Sequence, residues 1–567
     1  NVCEDLYVYV VSSIKYYHKR GGVYMNKNKK HDKRNQLDII LTDLQPNEVP
    51  QIYTLKNFYN YLVTNKVMKR ISRDKNEDEK KFDSSWHAAP LKIFVLKDNN
   101  EYREISFINP LSMMEVYLYL ERYEKIILNF FKKDSFSIRT HRKRDNLLFK
   151  RVNNNIIEYA DQAILQNESA GNYYDRFPYQ QLDHFYKSDE WHDLNRKYKF
   201  FAKLDYSKCF DSIYTHTFNW IIASNVQEAK RLDEGHFLSA TDKLLQNMNM
   251  SITNGIVVGP EFSRFLSEII FQSVDRNIMY SLNCQGLQNG LDYEIKRYVD
   301  DFFVFVKKEE NVDKIINEIA KSSNRFKLRL NYEKEEKGKL PHIWSEWINE
   351  INLFLNELEK SIFYPYSDEN TYLLREQRLL PQRSVSKLKD MFQTVIVSDE
   401  KMNVKIVSYC FSFIYRKFFG CISNESKKTI FNLAFENAVY YLYDLLFYFY
   451  SFAPTYRNTD KLISIIYIIE DEIGFSKNKS VLYKIMKRYS FIIQNSNLAD
   501  VSNLILLLIM YDIDIGSKSE EYILYEIRKE MNPLYYAILF LYDHFICKEK
   551  LGLKQEIEDL IQSKLNI

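Results

Sequence analysis

Residues 293–308 read YEIKRYVDDFFVFVKK. Two short runs of strand-forming residues, YEIKRY and FFVFV, flank the adjacent aspartates Asp300 and Asp301, the pattern of a tight hairpin with the acids at its tip. Unpaired charge is costly to bury. An acidic pair in so apolar a setting is therefore either a solvated turn or a pair of carboxylates that holds something positive. Asp205 bears on the choice, because it ends another strand-like run, KFFAKLDY at 199–206. If the strands are neighbours, three carboxylates converge on one point. Like charges a few ångströms apart repel strongly, and such a cluster calls for cations. Oxygen ligands and retained water suit Mg²⁺, with Mn²⁺ as the alternative ion. Two such ions about 3.5–4 Å apart activate an attacking hydroxyl and neutralise a leaving pyrophosphate. In this phosphoryl transfer, positioning and charge supply most of the catalysis.

The rest of the chain sets limits. Its 567 residues are 46% hydrophobic, enough for two to four domains with their own cores. The net charge is only +3, so any nucleic-acid footprint must come from local basic patches. Gly (13) and Pro (11) are scarce, which favours long regular elements. The six cysteines form no CxxC pair and do not cluster with histidines, which argues against zinc and for a reducing, cytoplasmic setting. No signal peptide is expected. The apolar run LILLLIM at 504–510 falls far short of the roughly 20 residues a membrane span needs, so no membrane partner is expected.

Four regions follow from the patterning. Residues 1–90 read as an N-terminal extension with a basic segment at 15–34, either a solvated stretch or a phosphate-binding arm. Residues 91–199 open with a hairpin, LKIFVL then REISFI, followed by a helix over 111–131. Residues 200–345 hold the acidic hairpin, helices over 260–281 and 311–323, and a strand over 325–332. Beyond 345 strand signals nearly vanish. Amphipathic helices follow one another from 345–361 to 553–564, including one over 427–451, with breaks at Pro454, Gly474, Gly516, Pro533 and Gly552. The natural reading is a stacked helical array.

Six motifs in order give these regions a family resemblance. YVDD at 298–301 resembles the active-site turn of reverse transcriptases. DYSKCFDSI (205–213) is similar to their first catalytic motif, GIVVGPEFSRFLSE (255–268) to their second palm motif, and LNYEK (330–334) to the lysine-bearing motif that follows the hairpin. Upstream, KDNNEYREISFINP (97–110) and SFSIR (135–139) resemble two fingers motifs. The resemblance implies an α+β right-hand polymerase, with fingers and palm followed by the all-α array in place of, or beyond, a thumb. It implies that Asp205, Asp300 and Asp301 hold the metals, aided by the backbone carbonyl of Tyr206. Phe210 would lie under the sugar and exclude a 2′-OH, so that dNTPs are the substrates. Lys97 and Arg103 would grip the triphosphate, in keeping with bidentate contact by arginine. Gly259 would let backbone approach nucleotide or template. Lys334 would protonate or attract pyrophosphate, with Lys337 and Lys339 as competing candidates. Asp211 and Glu268 are read as structural.

The run RTHRKRDNLLFKR (139–151) carries Arg139, Arg142, Lys143 and Arg144 among phenylalanines and reads as a nucleic-acid track or a solvated face. Ser263, Arg264 and Tyr298 join it as nucleic-acid-binding candidates. The motif's usual Pro-Gln is Val257–Val258 here, a departure that touches template handling. A core fused to a long helical tail is similar to the abortive-infection (Abi) and related defence reverse transcriptases of bacteria. That implies an antiviral role and single-stranded DNA product, made without a conventional template and joined to a Tyr or Ser hydroxyl. Two other readings stay open: cDNA synthesis on a partner non-coding RNA, and a non-catalytic nucleic-acid-binding sensor. Assembly as a homo-oligomer is also open.

Overall fold

The computed structural model describes residues 35–48, 55–68, 86–98, 101–143, 172–223, 226–232, 235–342, 347–365, 372–374, 382–399, 402–422, 436–530, 532–548 and 551. The basic segment 15–34, Arg144 with the rest of the run to 151, and the expected helix 553–564 lie outside them.

Alternating apolar residues build the first hairpin. Strands β1 (Leu91–Asp98) and β2 (Glu101–Phe107) pair antiparallel, with Leu91 opposite Phe107 and Val95 opposite Arg103. Ile93, Val95, Ile105 and Phe107 all point to a buried face. Helix α1 (Pro110–Phe130) starts where Asn109 accepts the amide of Leu111 and proline takes the first helical position. A second ribbon pairs β3 (Arg139–Lys143) with β4 (Tyr174–Pro178).

The central sheet comprises β5 (Phe200–Leu204), β6 (Tyr293–Tyr298), β7 (Asp301–Val306) and β8 (Glu336–Lys339), in the antiparallel order β6–β7–β5–β8. The 24-residue helix α2 (Glu261–Cys284) and α3 (Glu310–Asn324) pack against each other. After Asp301, β7 is apolar because both its faces are covered. Phe302, Val304 and Val306 belong to the core shared with α2 and α3, while Phe303 and Phe305 pack against Phe185 and Trp191 on the other side. The strand expected over 325–332 differs. Only Leu330 bridges to Tyr206, and Glu336–Lys339 takes the free edge of β5 instead. Lys327, at φ 62°, breaks the extended run, and an Asn331-capped turn follows.

The remainder is helical: α4 (Trp347–Ile362), α5 (Gln382–Ser398), α6 (Asn403–Ile422), α7 (Glu436–Ser451), α8 (Tyr456–Ile473), α9 (Phe475–Tyr489), α10 (Leu498–Met510), α11 (Ser517–Glu530) and α12 (Pro533–Tyr542). Of the helix expected over 427–451, the described part is α7. Gly474, at φ 82°, makes the sharp corner between α8 and α9. The run 504–510 lies within α10, whose apolar residues are almost all buried. No described helix is long and apolar enough to cross a membrane. The buried face of the β1–β2 hairpin belongs to the array's core: Ile93, Val95, Ile105 and Phe107 are continuous with residues of α4 to α12.

Candidate active site

Sheet register assembles the acids. Leu204 at the end of β5 faces Phe302 in β7, so the next residue, Asp205, falls level with Asp301. Tyr298 pairs with Asp301 across the hairpin, which leaves Val299 and Asp300 as a two-residue turn. Val299 has φ 58°, a left-handed conformation that costs a β-branched residue free energy. Buried Arg297 holds it there. Its Nη1 donates to the Val299 carbonyl at 2.8 Å, while its remaining donors engage Asp275 and Glu268 at 2.7–3.2 Å. Both acids lie on α2, seven residues apart and so on one face. Glu268 is thus structural, as its sequence context implied.

The acids perturb one another. Burial and then Asp205 push Asp300 up to about 6. Burial, Asp300 and Asp205 push Asp301 up to about 7. Burial also raises Asp205, against the pull of Lys334, the Tyr206 amide, Lys97 and a hydrogen bond shared with Asp300. Carboxyl groups this close disfavour one another's ionisation. Cations ring the cluster: Lys97 and Lys334 face Asp205, Arg264 faces Asp300, and Lys203 and Lys405 face Asp301. Lys203 is engaged with Glu336 at 3.0 Å.

Three carboxylates gather at the end of an antiparallel sheet with lysines facing them, the kind of donor set that two-metal phosphoryl transfer calls for. Residues 98–344 match the family described as reverse transcriptase (RNA-dependent DNA polymerase). That region is a reverse transcriptase domain. The chain is accordingly an enzyme of the nucleotidyltransferase class, and its α+β core followed by a helical array is the fold class expected. Among solved structures, the chain is similar to telomerase from Candida albicans in complex with the TWJ fragment of telomeric RNA. That likeness has 12% identity, covers 80% of this chain and 71% of the other, and has a TM-score of 0.27. No curated protein matches the chain.

Around these three acids, the other expected residues are placed as follows. Lys97 is exposed at the end of β1 and reaches the field of Asp205. Arg103, opposite Val95 in the same hairpin, donates to Glu48 at 2.7 Å. Of the three candidate lysines, Lys334 faces Asp205, whereas Lys337 is engaged by Asp313 and Glu335 at 2.8 and 2.6 Å. Phe210 lies partly buried against the core, beside the Ile256 amide that donates to its carbonyl. Gly259, at φ 120°, packs under the fingers. A Cβ there would lie 3.0 Å from Pro46 and 3.4 Å from Ile105. Its lack of a side chain thus serves the fingers–palm junction.

The nucleic-acid candidates divide. Arg139 is buried with its guanidinium on Glu261, at 2.8 Å through Nη1 and 2.9 Å through Nη2, and Ser263 is buried in α2. Neither offers its polar atoms to a passing strand, because the fold commits that space to the Glu261 cluster with His141, Arg176 and Arg264. Tyr298 donates its hydroxyl to the Gln180 carbonyl at 3.0 Å. Arg142 and Lys143 do reach solvent. Arg142 lies 3.7 Å above the half-exposed ring of Phe177, on a cleft of about 750 Å³ that Lys125, Lys132, Lys133 and Lys143 also line.

Reverse transcriptases generally use divalent metal ions, and the donor set suits them: three oxygen ligands whose mutual repulsion a cation would relieve. Among the described residues no three His, Cys, Asp or Glu side chains are drawn together tightly enough to enclose an ion as they stand. The sequence reading missed Arg297, Glu48 and Lys405. Arg297 had a signal, since Tyr293, Ile295 and Arg297 share the inward phase of β6.

Proposed function

We propose that the protein polymerises dNTPs into DNA as a bacterial defence enzyme of the Abi type, without a conventional template and with the product joined to a Tyr or Ser hydroxyl. The observation that carries the polymerase chemistry is the sheet-end cluster of Asp205, Asp300 and Asp301 faced by Lys97 and Lys334. The Abi assignment rests on the motif set and on the helical array that follows the palm. Asp205, Asp300, Asp301 and the Tyr206 carbonyl would hold two Mg²⁺ ions. When bound, these lower the barrier by activating the attacking hydroxyl and neutralising the leaving pyrophosphate. The chain's own residues do the rest. Lys97 and Arg103 orient the triphosphate, Arg103 by exchanging Glu48 for phosphate. Phe210 supports the sugar and selects against a 2′-OH. Lys334 offers charge, or a proton, to departing pyrophosphate.

The cleft under Phe177 favours a second reading, synthesis on a bound non-coding RNA. Clustered cations beside an exposed ring suit a phosphate backbone and a stacked base. One experiment separates the two. The purified protein is incubated with Mg²⁺ and each labelled dNTP, with and without RNA, and the product is sequenced and tested for attachment to protein before and after protease. Protein-linked DNA made without RNA supports the first reading, and product complementary to a co-purifying RNA supports the second. Asp300→Ala/Asp301→Ala is expected to abolish incorporation and protection of cells against phage while the fold persists. Protection that survives this variant would refute an enzymatic role in defence.

A further inference from the structure

The hairpin that carries Lys97 and Arg103 is held from about four hundred residues away. Among the described residues β1 pairs only with β2, so its other edge presents backbone groups that need partners. The helical array supplies them. The Leu96 amide donates to Oδ2 of Asp500 at 2.8 Å. Oδ1 of the same carboxylate accepts the amide of Tyr456, at the start of α8, at 2.9 Å. Farther along β1, Asn532 donates from Nδ2 to the Lys92 carbonyl at 2.9 Å. Asp500 is only 1% exposed. A carboxylate so buried persists only where its oxygens are bonded, which makes this contact specific rather than incidental. The same junction meets Arg103, whose partner Glu48 also lies 3.5 Å from Arg457 of α8. The opposite face of the hairpin is sealed by the apolar core it shares with the array.

We propose that the helical array is the scaffold of the nucleotide-gripping hairpin, with Asp500 as the positioning residue for Lys97. This rests on the reading of Lys97 and Arg103 as triphosphate ligands. Asp500 acts through the backbone of Leu96, one residue before Lys97. Loosening it lets the lysine sample positions that do not meet the phosphates, which weakens nucleotide binding and leaves the acids that perform the chemistry untouched.

Full-length Asp500→Ala and Asp500→Asn test this by two readouts, with Lys97→Ala as reference. Hydrogen exchange at the Leu96 amide is expected to quicken by about tenfold in Asp500→Ala. The KM for dNTP is expected to rise about fivefold or more with kcat within about twofold, because the loss falls on binding. Asp500→Asn keeps one acceptor oxygen and should lie between, and Asn532→Ala should move both readouts less. If Asp500→Ala fails to unfold cooperatively, Asp500→Asn and Asn532→Ala carry the test. Unchanged exchange at Leu96 overturns the latch whatever the activity. Faster exchange with unchanged KM, in an enzyme whose KM does rise in Lys97→Ala, overturns the positioning role. If Lys97→Ala leaves KM unchanged, the triphosphate reading fails and this inference falls with it.

Discussion

Replacing Arg297 by methionine tests how the catalytic turn is held. The guanidinium is 0% exposed and spends its donors on Asp275, Glu268 and the Val299 carbonyl. Asp275 also accepts the Phe136 amide at 3.1 Å, and Glu268 adds to the burial that raises its carboxyl. Methionine fills much of the volume but leaves two buried acids facing each other. Removing one partner of a buried ion pair costs about 3–5 kcal/mol. At roughly 2–4 °C per kcal/mol for a domain of palm size, the melting temperature should fall by about 6–20 °C. The loss should deepen as pH rises, because the stranded carboxyls must then either ionise or hold protons against the solvent. Differential scanning calorimetry reads the stability, and dNTP incorporation well below the transition reads the turn. In the triple variant Arg297→Met/Glu268→Gln/Asp275→Asn most of the stability should return. Incorporation should stay low, because nothing then binds the Val299 carbonyl. A melting shift under about 2 °C, the scale of an inert surface change, or undiminished incorporation in Arg297→Met would refute the reasoning.

Two other perturbations follow from the same geometry. Asp301, raised to about 7, holds in the folded state a proton that the unfolded chain releases near its ordinary value of 3.8, so stability without divalent ions falls as pH rises through that window and stays lower above it. Burial disfavours its charge first, Asp300 and Asp205 repel it next, and Lys203 and Lys405 oppose them, so Asp301→Asn should melt higher than the parent at pH 8 in chelator and match it near pH 4. A variant less stable than the parent at pH 8 would contradict this penalty on the charged form. Gly259→Ala forces an L side chain to φ 120° against Pro46 and Ile105, and should cost about 1–3 kcal/mol by urea unfolding at unchanged slope. A loss under about 0.5 kcal/mol, within the range of an ordinary surface substitution, would show that the junction relaxes freely.

What could be read in the sequence was what chemistry or pleat forces into short spacing. Asp300 and Asp301 stand between two period-2 runs, and Asp205 ends a third, so their meeting needed only that the strands be neighbours. The described helices past 345 were legible from periodicity and from Gly474, Pro454 and Gly516 as breaks. The strand at 325–332 misled because its residues suit a strand while Lys327 adopts a left-handed turn that no propensity demands. Arg139 looked like part of a solvent-facing basic run, yet strand alternation turns it, with His141, inward onto Glu261. Contacts that join distant segments left no local trace. Nothing near Asp500 points to Leu96, and nothing near Glu48 points to Arg103 or Arg457.

The apolar seam between the β1–β2 hairpin and the array bears on how the molecule can be taken apart. Composition changes character near residue 345, which invites cutting the gene there. The packing runs straight across that point. A fragment ending at 344 would present Ile93, Val95, Ile105 and Phe107 to water, and the complementary fragment would present the helix faces that had covered them. Each piece alone is a candidate for aggregation. Produced together, the two should reassemble through that seam, as a split enzyme whose output depends on the concentration of its halves.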